Sequence, residues 1–232
     1  MADNRSHLTD RFFQRLRELQ PGSVLDVGCG AGRLLELCRD AGIAAEGVEA
    51  EVRLVSELSD QGLSVHEGDA AALPKADASF DWVTLRHVLH HLEEAATALD
   101  EAFRVARVGV LVAEPWHDTS IPSQALARRI DLWMKSQDRR LGHSHQENMD
   151  AKQILALLPV DGDFDVDWHY YVRLQEQARE ELDALAAPLL EGLSDGAAQR
   201  QEFDSLCQEV RRNGITYNGT MIVSIRRRQA RS

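Results

Sequence analysis

Asp26, Glu49 and Asp69 are the residues whose types and spacing first suggest chemistry. Each closes or follows an apolar run, in VLD (24–26), GVE (47–49) and HEGD (66–69). Behind the first comes VGCGAGR, with Gly28, Gly30 and Gly32 at alternate positions. A glycine-rich turn after a strand offers a ligand bare main chain, because glycine takes positive φ and has no Cβ in the way. In an open α/β sheet, ligands lie in the crevice at the carboxyl ends of the strands, so three such carboxylates would face one ligand. The second is placed to accept hydrogen bonds from both hydroxyls of a ribose, which suits NAD and other nucleosides alike. Asp26 would repel the phosphates of NAD or ATP and attract a ligand carrying a sulfonium or an amine. No Lys-Ser or Lys-Thr follows the glycines, so a P-loop is excluded.

Histidines supply the second chemical signal. His87, His90 and His91 follow the fourth apolar run, and His117 follows the fifth. A general base is most often histidine, and His87 and His117 are the better placed, each just past a strand end. His90 and His91, inside VLHHL, are read as packing residues. His87 and His91 have the helical i, i+4 spacing of metal ligands, with His143 and His145 as further candidates. The adjacent Glu93 and Glu94 are explained equally well by a helix N-terminus that favours negative charge, and no metal is expected.

The elements that must position these residues alternate. Strands are expected at 23–28, 44–49, 63–68, 80–85 and 108–114, with helices at 32–41, 50–61 and 93–106 between them. Such βαβ alternation implies a parallel sheet covered on both faces. Before it, Leu8, Phe12, Phe13, Leu16 and Leu19 recur at helical spacing, so residues 1–22 form an amphipathic helix stopped by Pro21-Gly22. The chain ends differently. FDVDWHYYVRL (164–174) and ITYNGTMIVSI (215–225) alternate with period two, as an antiparallel pair at one sheet edge would.

The 232 residues suffice for one domain with a full core. A net charge of -12 argues against nucleic acid, and the basic tail, Arg226, Arg227, Arg228 and Arg231, reads as a solvated chain end. Cys29, Cys38 and Cys207 are odd in number and widely spaced, which fits a reducing, cytoplasmic location. No run is long and apolar enough for a signal or a membrane span.

VLDVGCGAGRL, GVEAE, EGDAAALPKADASFDWV and LRHVLHHLEEAATALDEAFRVAR, in that order, resemble the successive motifs of the class I S-adenosylmethionine-dependent methyltransferases. The resemblance is to the small-molecule branch that includes the ubiquinone and menaquinone biosynthesis enzymes. It covers residues 23–115, the expected cofactor-binding core. It implies a Rossmann-like, mostly parallel, seven-stranded sheet with an antiparallel last strand and helices on both faces. It further implies that Asp26, Gly28, Cys29, Gly30 and Gly32 surround the methionine part of S-adenosylmethionine, with S-adenosylhomocysteine as product. Glu49 would hold the ribose, Ala50 would line the adenine, and Asp69 and Ala70 would meet the adenine amino group and ring. Leu85 and Arg86 would pass beneath the sulfur. An arginine there is unusual beside a cation, and its side chain is expected to point away or to pair with Glu49, Glu51 or a substrate acid.

Two segments exceed that minimal fold, 116–149 and 175–212, and both are expected as helical lids over the strand ends, in a single domain of residues 1–232. Trp116, Trp133, Arg128, Arg129, Arg139 and Arg140 would suit an apolar or anionic small molecule, unless Trp133 is core and the arginines form a solvated face. The function expected is methyl transfer to an O, N or C nucleophile of a small molecule. The competing class is a regulatory or interaction protein that keeps the cofactor pocket without the chemistry.

Overall fold

The computed structural model describes residues 6–159 and 162–228, so residues 1–5 and Arg231 lie outside the described residues. Seven strands form one sheet in the order β3-β2-β1-β4-β5-β7-β6. These are β1 (Ser23–Val27), β2 (Ala44–Glu49), β3 (Val65–Glu67), β4 (Phe80–Arg86), β5 (Ala106–Trp116), β6 (Phe164–Tyr171) and β7 (Gly219–Arg227). The strands from β1 to β5 pair in parallel, and β7 runs antiparallel between β5 and β6. Strand order reverses between β1 and β4, which puts the expected ligand crevice at their carboxyl ends.

Alternation along each strand divides the core in two. Leu25, Val27, Val83, Leu85, Val110 and Val112 face α4 (Ala95–Val105), whose Leu99, Ala102 and Phe103 are fully or almost fully buried against them. On the other face, Val24, Trp82, Leu111 and Ile222 pack against Phe12 and Leu16 of α1 (Ser6–Glu18) and Leu34 and Cys38 of α2 (Arg33–Asp40). The helical spacing in the first twenty residues therefore gives α1 its buried stripe. α3 (Val52–Asp60) adds Leu58 to a smaller cluster with Cys29, Leu35 and Leu63.

β6 departs from the expected pattern. Phe164 and Val166 pack on the core, but Trp168, Tyr170, Val172 and Leu174 are exposed, Leu174 at 61%. Period two selects a face, and an edge strand runs past the helices that would cover that face. The basic tail is tied to its own chain: Arg226 lies over the Trp82 ring, and Arg228 pairs with Asp163 and Asp165.

The two segments beyond the minimal fold meet in one helical layer. α5 (Pro122–Arg140) packs with α7 (Arg179–Gly192) and α8 (Gly196–Gln208) around Leu126, Ile130, Trp133, Leu182, Ala186 and Phe203. Gln124, fully buried, fastens this layer to the sheet by donating to the carbonyls of Arg173 and Tyr217, at the chain's exit from β6 and approach to β7. α9 (Val210–Asn213) completes the layer. The short α6 (Ala151–Ala156) begins at a capping box in which Asp150 accepts from the Gln153 backbone and the Gln153 side chain accepts from the Asp150 backbone. Asp150→Ala should cost about 1 kcal/mol of stability, measured by denaturant titration.

Among the described residues, no helix is long and apolar enough to cross a membrane.

Candidate active site

A cleft of about 280 Å³ opens where strand order reverses, lined by Val27 and Gly28 after β1, Val48, Glu49 and Ala50 at β2, Gly68, Asp69 and Ala70 after β3, and His87, Val88, His91 and Leu92 after β4. Four strand ends contribute to it, as the alternation of elements requires. The Glu49 carboxylate is held at its edge: Oε2 accepts from the Gly30 backbone at 2.8 Å, and Oε1 accepts from the Ala50 and Glu51 backbones at 2.9 and 3.1 Å. Asp69 is exposed, with Oδ1 accepting from the Ala71 backbone at 2.9 Å.

Gly28, Gly30 and Gly32 all have positive φ, for different reasons. Gly32 has φ +74, and a Cβ there would also press on the ends of the Leu58 and Leu63 side chains at 2.7 and 3.0 Å. A Cβ on Gly30 would meet nothing within 4 Å, in open space above the loop where a ligand can approach bare backbone. The residues present thus fit a nucleoside-bearing cofactor: a bare loop, and two carboxylates at successive strand ends.

Other residues implied by the resemblance stand outside the lining. Asp26 is 2% exposed, on the sheet face shared with Val24, and its Oδ1 accepts from Thr84 Oγ1 at 2.7 Å. Burial raises its pKa to about 6, with the Arg86 charge and the Thr84 hydrogen bond opposing. Cys29 is buried with Leu35 and Leu58, and its thiol is pushed up to about 12 by burial, so it contributes backbone to the loop. Leu85 is core. Arg86 Nε is buried without a hydrogen-bond partner among the described residues, and the Arg86 charge acts on Asp26 and on His87.

His87 lines the cleft with φ +59, its backbone N–H donating to the Ala113 carbonyl at 2.8 Å. His117 does not line the cleft. It borders two cavities beyond β5, one of about 230 Å³ with Trp116, Arg128, Asp131, Glu147 and Asp150, and one of about 120 Å³ with Ile130, Leu182 and Ile215. Burial lowers the pKa of His87 to about 3 and that of His117 to about 4, so both imidazoles are neutral at physiological pH.

The larger cavity is polar. Three carboxylates and one guanidinium border it. Trp133 is core against Phe203, Arg129 pairs with Glu209, Arg140 pairs with Asp195, and Arg139 donates to the His145 carbonyl. Sequence reasoning passed over the groups beneath the cavity. Lys135, 2% exposed, pairs with Asp131 Oδ2 at 3.2 Å and donates to Asn148. Glu114, fully buried at the end of β5, meets His90 Nδ1 at 2.6 Å. The i, i+4 spacing of Asp131 and Lys135 was the available signal for the first pair, and an acid closing the fifth strand was the signal for the second.

The family profile described as "Methyltransferase domain" matches residues 25–113. These residues are thus similar to the methyltransferase-domain family. The chain is 31% identical over 149 residues to a malonyl-[acyl-carrier protein] O-methyltransferase of Pseudescherichia vulneris, covering 63% of this chain and 56% of that one. It is 37% identical over 107 residues to a demethylmenaquinone methyltransferase of Renibacterium salmoninarum, covering 44% and 45%. The chain thus spans about half the length of the curated relatives it matches. In fold it resembles the crystal structure of the YcgJ protein from Bacillus subtilis, with a TM-score of 0.63 and 16% identity over 95% of this chain and all of that one. An S-adenosylmethionine-dependent methyltransferase from Archaeoglobus fulgidus has a TM-score of 0.57 and 17% identity, covering 94% of each chain.

The similarity to methyltransferases makes one glycine testable against their cofactor. Gly30→Ala forces an L-residue into φ +53, which costs about 1–2 kcal/mol, and places a methyl group over the loop. Stability in denaturant should fall by that amount, and S-adenosylmethionine affinity by about tenfold in titration calorimetry.

Proposed function

We propose that this chain transfers a methyl group from S-adenosylmethionine to an O, N or C nucleophile of a small, polar molecule. The observation that carries the reading is the cleft at the switch point, where Glu49 and Asp69 stand at successive strand ends and Glu49 holds the Gly30 backbone. Glu49 would hold the ribose hydroxyls, and Asp69 and Ala70 the adenine edge. The backbone of Gly28 to Gly32 would surround the methionine part, over Cys29 and Leu85, and Asp26 with Arg86 would set the field beneath it. The cofactor supplies an electrophilic methyl group on a sulfonium. The chain's own share is alignment and exclusion of water, for which residues 116–149 and 175–212 would serve as a lid.

The relatives are named for acceptors as different as malonyl-[acyl-carrier protein] and demethylmenaquinone, so the acceptor is read from this chain's own cavity. Asp131, Glu147 and Asp150 against Arg128 favour a guest that donates hydrogen bonds or carries positive charge. His117 would touch the acceptor, and His87 would face the cofactor cleft. Both are neutral and can take a proton, at low basicity, from an acceptor acidified as it reacts. A cytoplasmic setting fits three buried free cysteines.

The test is calorimetric titration with S-adenosylmethionine, S-adenosylhomocysteine and NAD, followed by a screen of small polar acceptors for methyl uptake. Micromolar binding of the first two, none of the third, and label on a small acceptor are expected. Binding without uptake by any acceptor would favour a regulatory protein that keeps the pocket. A pH–rate profile indifferent to both His87→Ala and His117→Ala would remove the two as bases.

A further inference from the structure

The turn after β4 and the loop after α5 bring imidazoles together from distant parts of the chain. His90 and His91 lie in a single 3₁₀ turn, Leu89–His91, and His145 lies in the irregular segment between α5 and α6. One ring nitrogen from each can be chosen so that all three lie within 4.8 Å of one another. Ring centroids are 4.2 Å apart for His90 and His91, 4.7 Å for His91 and His145, and 5.5 Å for His90 and His145. His87, 6.4 Å from His90 between centroids, stays outside the group, as does His143.

We propose that His90, His91 and His145 form a site for one divalent first-row transition-metal ion of the Zn²⁺ type, a departure from the metal-free reading of the sequence. Two carboxylates orient its ligands. His90 Nδ1 is held by Glu114 Oε2 at 2.6 Å and His145 Nδ1 by Asp138 Oδ2 at 2.6 Å, which leaves Nε2 of each as the nitrogen available to an ion. A carboxylate behind a histidine is the usual support of a metal ligand, fixing tautomer and ring direction. Three nitrogen donors with no carboxylate among them select zinc and its neighbours over magnesium or calcium. Metal–nitrogen bonds of about 2.0–2.1 Å require the three nitrogens to draw in by about an ångström. His145, on an irregular segment, can supply that movement.

Glu114 is the second, independent observation. It is fully buried, with the backbone N–H groups of Leu89 and His90 directed at its carboxyl and Oε1 making no hydrogen bond of full geometry. The carboxyl is thereby placed to hold the His90 ring from behind. Lys135 is the cation facing it from α5, and Asp131 and Asn148 already engage that ammonium. Water would fill the fourth position. The ion would fasten the 141–149 loop to the turn after β4, and because His91 also lines the cofactor cleft, it would fix one wall of that cleft.

Metal binding at this site is independent of methyl transfer, and so is its test. The full chain is stripped with a chelator, exchanged into metal-free buffer, and titrated with Zn²⁺ by calorimetry and with Co²⁺ by visible absorption. One Zn²⁺ per chain and the intense absorption of four-coordinate Co²⁺ are expected. His145→Ala and His91→Ala should each weaken binding at least 100-fold, and Asp138→Asn, which touches no ion, by about 10–100-fold. His169→Ala, at an exposed histidine on β6, should change nothing. Zn²⁺ should slow amide hydrogen exchange across residues 141–149 in the wild type and leave it unchanged in His145→Ala. Absence of binding to the folded chain, or binding that survives loss of both His91 and His145, would overturn the site.

Discussion

The double variant Glu49→Ala/Asp69→Ala should lose S-adenosylmethionine affinity by about 10²- to 10⁴-fold while keeping a cooperative melting transition. Each carboxylate offers the cofactor one or two hydrogen bonds, worth about 1.5–3 kcal/mol apiece when one partner is charged, and the losses add if the sites act independently. The two singles should differ. Asp69 is exposed and holds only the Ala71 backbone, so its removal takes little from the protein itself. Glu49 accepts from Gly30, Ala50 and Glu51, so its removal also frees the glycine loop, and the loss of affinity should exceed that of Asp69→Ala. Glu49→Gln separates the two roles. It keeps one oxygen for the Ala50 and Glu51 backbones but sets an amide N–H₂ against the Gly30 N–H or the ribose, so affinity should fall with little change in stability. Equilibrium dialysis checks all four proteins, and a double variant that binds like the wild type would overturn the pocket.

These residues were legible because strand-end position is a property of local pattern. An apolar run that ends in an acid places that acid at a carboxyl edge, and a parallel sheet brings successive edges together. Glu49, Asp69 and His87 share one cleft for that reason. Asp26 closes its run in the same way, yet it lies inside the sheet layer, because alternation along β1 aims it at the face of Val24. Strand ends and strand faces are separate questions, and the order of apolar runs answers the first alone. The edge of the sheet was less legible still. Trp168 and Tyr170 alternate as core residues do, and their exposure depends on which helices reach β6. The meeting of His145 with His90 depends on how α5 packs, a tertiary fact with no local signature. Asp131, Lys135 and Asn148 belong to the same case, since an amphipathic helix announces its buried stripe but not the polar groups it will carry over a strand end.

Asp26→Asn should make the protein more stable and a poorer cofactor binder at once. The Asp26 carboxyl has its pKa raised from 3.8 to about 6, chiefly by burial. The sign follows from proton counting. Between those two values the folded chain keeps a proton that the unfolded chain has released, so stability falls as pH rises through the window and remains lower above it. A rise of that size corresponds to about 3 kcal/mol. Asparagine keeps an oxygen to accept from Thr84 Oγ1 and carries no charge to bury. The wild type should therefore lose stability between pH 4 and 6 relative to the variant, and above pH 6 the variant should be more stable by about 1–3 kcal/mol in denaturant titrations. A buried charge that costs stability persists where it serves the site. Ionised above pH 6, Asp26 sets a negative field beneath a loop that is to hold a sulfonium, with Arg86 partly offsetting it. S-adenosylmethionine affinity should accordingly fall severalfold in Asp26→Asn above pH 6, and the affinity of the neutral product, S-adenosylhomocysteine, should fall less. Equal losses for both ligands would mean that Asp26 shapes the loop mechanically, and a variant no more stable than the wild type at high pH would mean that the carboxylate is already compensated.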